Sequence, residues 1–211
     1  MRTLWGRMTS INVQKVAWVL SESNLAFDLI EVGGAFGGLD TPQYRAMNPT
    51  GRIPTLVEGD LVIRESNAIC RHLMHVHDGP LSPATDADRA KADMWMEWFQ
   101  TGLYPAFIQM FYQSVRLPTP ERDPHILEAA LKTLHDQFQI AETALADTPF
   151  LLGNSLSLAD IPFGSSLYRY FTVDIDRPSW PNISAYFSRL SDRKAYRDTV
   201  MIDYSSLRPP V

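Results

Sequence analysis

The chain changes character once, at Asp78-Gly79-Pro80-Leu81-Ser82-Pro83. Before this run strand and helix signals alternate; after it every periodic stretch is helical. Glycine and proline break both kinds of regular element, so 78–84 is the expected linker. It separates an α/β domain over 1–77 from an all-helical domain over 85–211.

In the first part, Thr3-Leu4-Trp5 is a short apolar run ending at Gly6. From Asn12 to Ser23, Val13, Val16, Ala17, Val19 and Leu20 recur at helical spacing. Phe27–Val32 alternates and is β-branched, which predicts a strand. Gly33-Gly34-Ala35-Phe36-Gly37-Gly38 is a loop by composition, and Thr41-Pro42 opens a short helix through Tyr44 and Met47. Ile53–Val57 and Leu61–Ile63 flank Glu58-Gly59-Asp60 as a hairpin, and Glu65–His77 follows as a helix. The order βαβ, short helix, ββα predicts a small mixed sheet faced by helices.

The second part opens with Asp86–Val115, rich in aromatics and expected to bend at Gly102 and Pro105. Further helices are expected at Glu128–Ala146, Ser157–Tyr170, Pro181–Leu190 and Asp192–Met201.

Composition limits the functional class. The 211 residues carry 19 Lys+Arg against 24 Asp+Glu, with no basic run, which argues against a nucleic-acid or anionic-membrane partner. No apolar stretch approaches the roughly 20 residues a bilayer needs, and the first residues do not resemble a secretory signal. The single cysteine, Cys70, excludes an internal disulfide and points to a reducing, cytoplasmic setting. His72, His75 and His77 hint at a metal, but no acidic or thiol ligand is evident beside them, so none is expected. The paired glycines lack the spacing of a phosphate or dinucleotide loop.

Four motifs fall in a specific order: Thr9-Ser10-Ile11-Asn12-Val13-Gln14-Lys15-Val16, Asn48-Pro49-Thr50-Gly51-Arg52-Ile53-Pro54, Glu65-Ser66-Asn67-Ala68-Ile69, and Ser157-Leu158-Ala159-Asp160. Together they make the whole chain resemble a cytosolic glutathione S-transferase. Within that family it is most similar to bacterial theta-like and nu-like members, which use Ser or Thr where others use Tyr. The resemblance implies an α/β thioredoxin-like N-terminal domain that binds glutathione, followed by an all-α helical-bundle C-terminal domain. It also implies a cytoplasmic homodimer that activates the thiol of its co-substrate glutathione and conjugates it to a small hydrophobic electrophile.

Physical reasons accompany each implied role. A helix N-terminus offers unpaired N–H groups and a positive dipole end, which favour a thiolate. Ser10 adds a hydroxyl donor there, although Ser also caps helices everywhere. Asn12 is the competing contact to the sulfur, and Thr9 the third choice. The resemblance implies that Ile53-Pro54 is a cis turn that frees the Ile53 backbone to pair with the cysteinyl unit as an added strand. Arg52 would then meet the glycine carboxylate. Glu65 and Ser66, opening a helix, suit the zwitterionic γ-glutamyl head. A subset of aromatics should line the electrophile pocket: Phe36, Tyr104, Ile108, Phe111 and Tyr112, with Arg116 more suited to solvent than to an anionic substrate. Ser157 is expected to cap a helix while Asp160 reaches back, a folding role.

The chain departs from the pattern at Gly37-Gly38-Leu39-Asp40, where many relatives carry a His or Gln donor. Rival activities share the same first contacts: nu-like reduction of disulfides, β-ether cleavage and dehalogenation. A non-catalytic glutathione- or ligand-binding scaffold is the alternative from another class.

Overall fold

The computed structural model describes residues 1–209. Its sheet has the order β2-β1-β3-β4, formed by β1 (Arg2–Gly6), β2 (Asp28–Glu31), β3 (Thr55–Glu58) and β4 (Leu61–Arg64). β1 and β2 are parallel, so a crossover must join them; α1 (Ile11–Glu22) supplies it. β3 runs antiparallel to β1 and to β4, the latter through the turn at Gly59, whose φ of +60° suits glycine. α2 (Pro42–Met47) begins where the Thr41 hydroxyl accepts the Tyr44 N–H at 3.2 Å. The apolar side of α1 and that of α3 (Ser66–His77) meet, burying Val16, Leu20, Ile69 and Leu73.

The first compact unit comprises Met1–Ser82 together with Ala195–Ile202. The sequence reading places that second segment with the helical domain. Packing groups it with the sheet because Tyr196, fully buried, sets its ring edge-on to Trp18 at 4.8 Å. Part of the expected linker also stays with this unit: Leu81 is buried and the Ser82 hydroxyl donates to the Met74 carbonyl at 2.8 Å.

The histidines on α3 do have an acidic neighbour, which sequence spacing does not reveal. Glu58, on β3, takes His72 and His77 at 2.9 Å each and Arg2 at 2.6 Å. Burial alone would raise its pKa, but the two histidines and the Arg2 guanidinium outweigh that and hold it below the usual carboxylate range. With an arginine in the cluster, these side chains form a charge network that ties α3 to the sheet. Among the described residues no group of His, Cys, Asp or Glu is arranged to hold a metal ion. Nor is any helix there long and apolar enough to cross a membrane.

The second unit, Pro83–Lys194 with the chain from Asp203, contains α4 (Asp86–Trp98), α5 (Tyr104–Phe111), α6 (Pro124–Ala144), α7 (Asp160–Thr172) and α8 (Pro181–Ser191). The short α9 (Lys194–Thr199) follows and belongs almost wholly to the first unit. Between α4 and α5 the helix widens into a π turn over Phe99–Leu103, just before Pro105, which has no N–H to give. That is the form taken by the expected bend. α6 starts four residues before the apolar periodicity, because the Asp123 carboxylate accepts the His125 and Ile126 N–H groups and Pro124 suits the first turn.

At α7 the capping box is only half formed. Asp160 reaches back to the Ser157 N–H at 2.8 Å, as expected. The Ser157 hydroxyl, however, caps no helix N–H and donates to Asp160 at 3.0 Å. Leu151 N–H and Tyr186 Oη complete the shell at 2.9 and 3.0 Å. Burial pushes Asp160 up to about 6, against the pull of the donors from Leu151, Ser157 and Tyr186.

Two outcomes follow from this carboxyl. Asp160→Ala leaves buried donors without an acceptor and should cost about 3 kcal/mol or more in a denaturant titration. Folding raises this pKa, so the native state holds the proton longer than the unfolded chain. The stability advantage of wild type over Asp160→Ala should therefore be largest near pH 4 and shrink as pH rises through about 6. Paired melts at pH 4, 5, 6 and 7 check this; an advantage that grows over that range would contradict it.

Candidate functional site

Strand register brings the key segments together within the first unit. Thr55, at the start of β3, lies opposite Trp5 near the end of β1 and opposite Arg64 at the end of β4. The chain leaving β1 (7–10), entering β3 (52–54) and leaving β4 (65–66) therefore meets at one end of the sheet. Gly6 pairs with Glu31 of β2, which adds the glycine-rich loop with Phe36 to the same end.

Ser10 stands at the N-cap of α1 in an extended conformation, φ −99° and ψ 122°. Its N–H donates to the Arg7 carbonyl at 2.9 Å, closing a turn. Its hydroxyl makes no capping bond, so the role that Ser most often plays here is unfilled. The first turn of α1 also holds no acidic residue to offset its positive end. Asn12 Oδ1 accepts from the Ser66 hydroxyl at 3.3 Å, linking the starts of α1 and α3. The Thr9 hydroxyl accepts from the Arg7 guanidinium at 2.6 Å, which commits it more than Ser10.

The Ile53-Pro54 peptide bond is cis. The Ile53 N–H and C=O have no hydrogen-bond partner among the described residues. The preceding carbonyl is fixed instead: Arg52 O accepts from Tyr44 Oη at 2.6 Å and from Asn48 Nδ2 at 2.8 Å. Both also reach the Thr55 hydroxyl at 3.0 Å, and Tyr44, Asn48 and Thr55 are all buried. Burial raises the Tyr44 pKa against the lowering effect of its Thr55 and Asn48 bonds, so it stays a phenol donor. The Arg52 side chain itself is exposed. Sequence reasoning quoted the Asn48-Pro49 motif without assigning this network; the signal is a polar residue buried one turn before Pro54, visible only once Tyr44 and Asn48 are known to face inward.

Glu65 adopts φ +70° and ψ 114°, a region that a non-glycine residue enters at a cost. It is exposed, makes no capping bond, and directly precedes buried Ser66. Phe36 is 52% exposed at the tip of a single 3-10 turn.

In the second unit, Tyr104, Ile108 and Tyr112 follow one stripe at four-residue spacing, and all three are partly exposed. Arg116 donates to Tyr112 Oη at 3.2 Å and lies 4.8 Å from its ring centre. Phe111 is different: it is 2% exposed, stacks with Phe107, meets Tyr204 edge-on and lies under the Arg169 guanidinium. Packing, rather than lining a pocket, occupies its ring, because its side of the helix faces the bundle interior.

Residues 4–81 match the glutathione S-transferase N-terminal domain and residues 92–194 the C-terminal domain. The chain is 35% identical over 208 residues to glutathione S-transferase GstB of Escherichia coli K12, covering 97% of this chain and all of that one. It is 31% identical to glutathione S-transferase 3 of Zea mays, covering 93% and 92%. A theta class glutathione S-transferase of Xanthomonas axonopodis pv. citri, solved with glutathione bound, superimposes with a TM-score of 0.93 at 44% identity, covering 96% of this chain and 98% of that one. The chain belongs to the glutathione S-transferase family. It is an enzyme of that family, a transferase that uses glutathione as co-substrate.

Removing one of the two donors to the Arg52 carbonyl should loosen Ile53 and weaken glutathione binding. Tyr44→Phe is expected to raise the glutathione Kd about tenfold, the equivalent of one buried hydrogen bond. Titration calorimetry reads this directly, and an unchanged Kd would detach the network from binding.

Proposed function

We propose that this chain is a serine-type transferase of the bacterial theta-like kind, in which the Ser10 hydroxyl donates to the glutathione thiolate. The observation that carries this is the uncommitted hydroxyl at the uncompensated N-terminus of α1. Asn12 is the second polar contact near the sulfur, held by Ser66. The unpartnered Ile53 backbone pairs with the cysteinyl unit, Pro54 keeps that edge open, and exposed Arg52 takes the glycine carboxylate. Glu65 and Ser66 receive the γ-glutamyl ammonium and carboxylate. Thr9, bonded to Arg7, shapes the loop.

Catalysis then needs little beyond charge stabilisation and positioning. The glutathione thiol loses its proton to solvent, and the sulfur is held as thiolate by Ser10 and the helix end. It attacks an electrophilic carbon; the C–S bond forms as the leaving group departs with its electron pair or a conjugated acceptor takes the charge. Within the second unit, the partly exposed stripe Tyr104, Ile108 and Tyr112 is assigned to the hydrophobic electrophile. A cytoplasmic homodimer that needs no metal completes the reading.

The resemblance to nu-like members keeps a second reading: Asn12 stands two positions after Ser10, as in members of that kind, where bound glutathione attacks a disulfide rather than carbon. A non-catalytic scaffold is disfavoured by the retention of Ser10, Ile53, Glu65 and Ser66 together.

Titrating wild type and Ser10→Ala with glutathione, while following thiolate absorbance across pH, separates these readings. Wild type should show a thiolate near neutral pH. Loss of a charge-assisted donor in Ser10→Ala should raise the thiol pKa and lower kcat for conjugation roughly 10- to 100-fold. Conjugation that survives unchanged in the variant would remove Ser10 from the mechanism. Binding without a thiolate signal in wild type would favour disulfide exchange or carriage.

A further inference from the structure

Gln14 sits in the first turns of α1 with 1% of its surface exposed. Its Nε2 donates to the Met8 carbonyl at 2.9 Å, within the loop that carries Ser10. Its Oε1 is buried and accepts from nothing among the described residues. A buried acceptor without a donor lowers stability, and native proteins hold few. The neighbouring inward positions Val13, Val16 and Ala17 are filled with apolar side chains, as a helix core prefers. The fold gains least from an amide at this position, so its single hydrogen bond to Met8 is what it contributes.

That bond acts on Ser10 from one side while the backbone acts from the other. The Gln14 N–H donates to the Ser10 carbonyl at 2.9 Å, and the Ser10 N–H closes the turn onto Arg7. Met8 and Ser10 are thus gripped by the same residue, one through its side chain and one through its main chain. A serine at an N-cap ordinarily turns its hydroxyl onto the N–H two or three residues on. Here it does not.

We propose that Gln14 is a positioning residue: by holding Met8 it keeps the Ser10 hydroxyl from relaxing into a cap, leaving it available to the thiolate. This rests on the reading of Ser10 as the thiolate's donor.

Gln14→Met, of similar length but with no donor and no buried acceptor, and Gln14→Asn, which keeps the amide but falls short of Met8, test it in the full-length enzyme. The readouts are the pKa of bound glutathione by thiolate absorbance, the Kd by calorimetry, and kcat for conjugation. Ser10→Ala is run in parallel. Both Gln14 variants should raise the bound thiol's pKa and lower kcat about tenfold, while the Kd stays within about twofold. The melting temperature of Gln14→Met should stay close to wild type, since loss of the bond to Met8 is offset by removal of the unpaired Oε1. If whichever variants fold leave the thiol pKa and kcat at wild-type values while Ser10→Ala shifts them, Gln14 has no positioning role and the serine reading stands. If Ser10→Ala itself shifts nothing, the serine reading falls, and this inference with it.

Discussion

Everything at this site hangs on the register of β3. An antiparallel strand between β1 and β4 brings the end of one neighbour and the end of the other level with its own start, and Thr55 marks that level. A slip by one residue would turn Leu56, now wholly buried, toward the opposite face. The register is therefore fixed by the core, and the core in turn fixes which loops meet. The Thr55 hydroxyl tightens the arrangement: it accepts or shares bonds with Tyr44 and Asn48, which grip the Arg52 carbonyl beside it. Sheet pairing and the shape of the open backbone edge at Ile53 are one structure seen from two sides.

The fold was legible because its signals are local and mutually consistent. The apolar spacing of Val13, Val16, Ala17 and Leu20 can only bury one side of a helix. Thr41-Pro42 and Glu58-Gly59-Asp60 carry their own turn and cap chemistry. The misses lie where the deciding contact is distant in sequence. Glu58 meets His72 and His77 only after the hairpin has formed and α3 has docked. Tyr196 joins the first unit through Trp18, a partner more than 170 residues earlier. Phe111 and Tyr112 are adjacent in sequence and look equally suited to a pocket. One step of about 100° around the helix separates a buried ring from an exposed one. The motif residues Ser10, Ile53, Glu65 and Ser66 could be named from resemblance, but the absence of a Ser10 capping bond is a property of geometry alone.

The site is assembled from groups that the fold leaves unsatisfied or strained. Among the described residues the Ile53 backbone lacks partners, the Ser10 hydroxyl does not cap, Gln14 Oε1 accepts from nothing and Glu65 holds a positive φ. Each departs from local optimum, and such departures persist only where the surroundings over-determine them. These four lie at one end of the sheet, whereas the other non-glycine residues with positive φ in the first unit, Asn24 and Asp78, follow the last turns of α1 and α3. Surroundings of this strength are on hand: α1 and α3 are buried against each other, and the Glu58 network ties α3 to the sheet at the opposite end from Ser66.

The two groups whose pKa values shift furthest lie elsewhere, which bears on the kind of chemistry the protein can do. Burial drives Asp160 to about 6 and Cys70 to about 12, and both side chains are wholly buried. A perturbed side chain often marks an active site, but here the perturbations follow from packing. Cys70 is thereby kept as a protonated, shielded thiol that cannot compete as a nucleophile. At the sheet end, the reactive group is the one that glutathione brings. On the proposed reading, what the protein contributes is a hydroxyl, a helix terminus and an open backbone edge, none of which changes charge between pH 5 and 8. The pH dependence of the reaction should therefore belong to the bound thiol rather than to any residue of the chain.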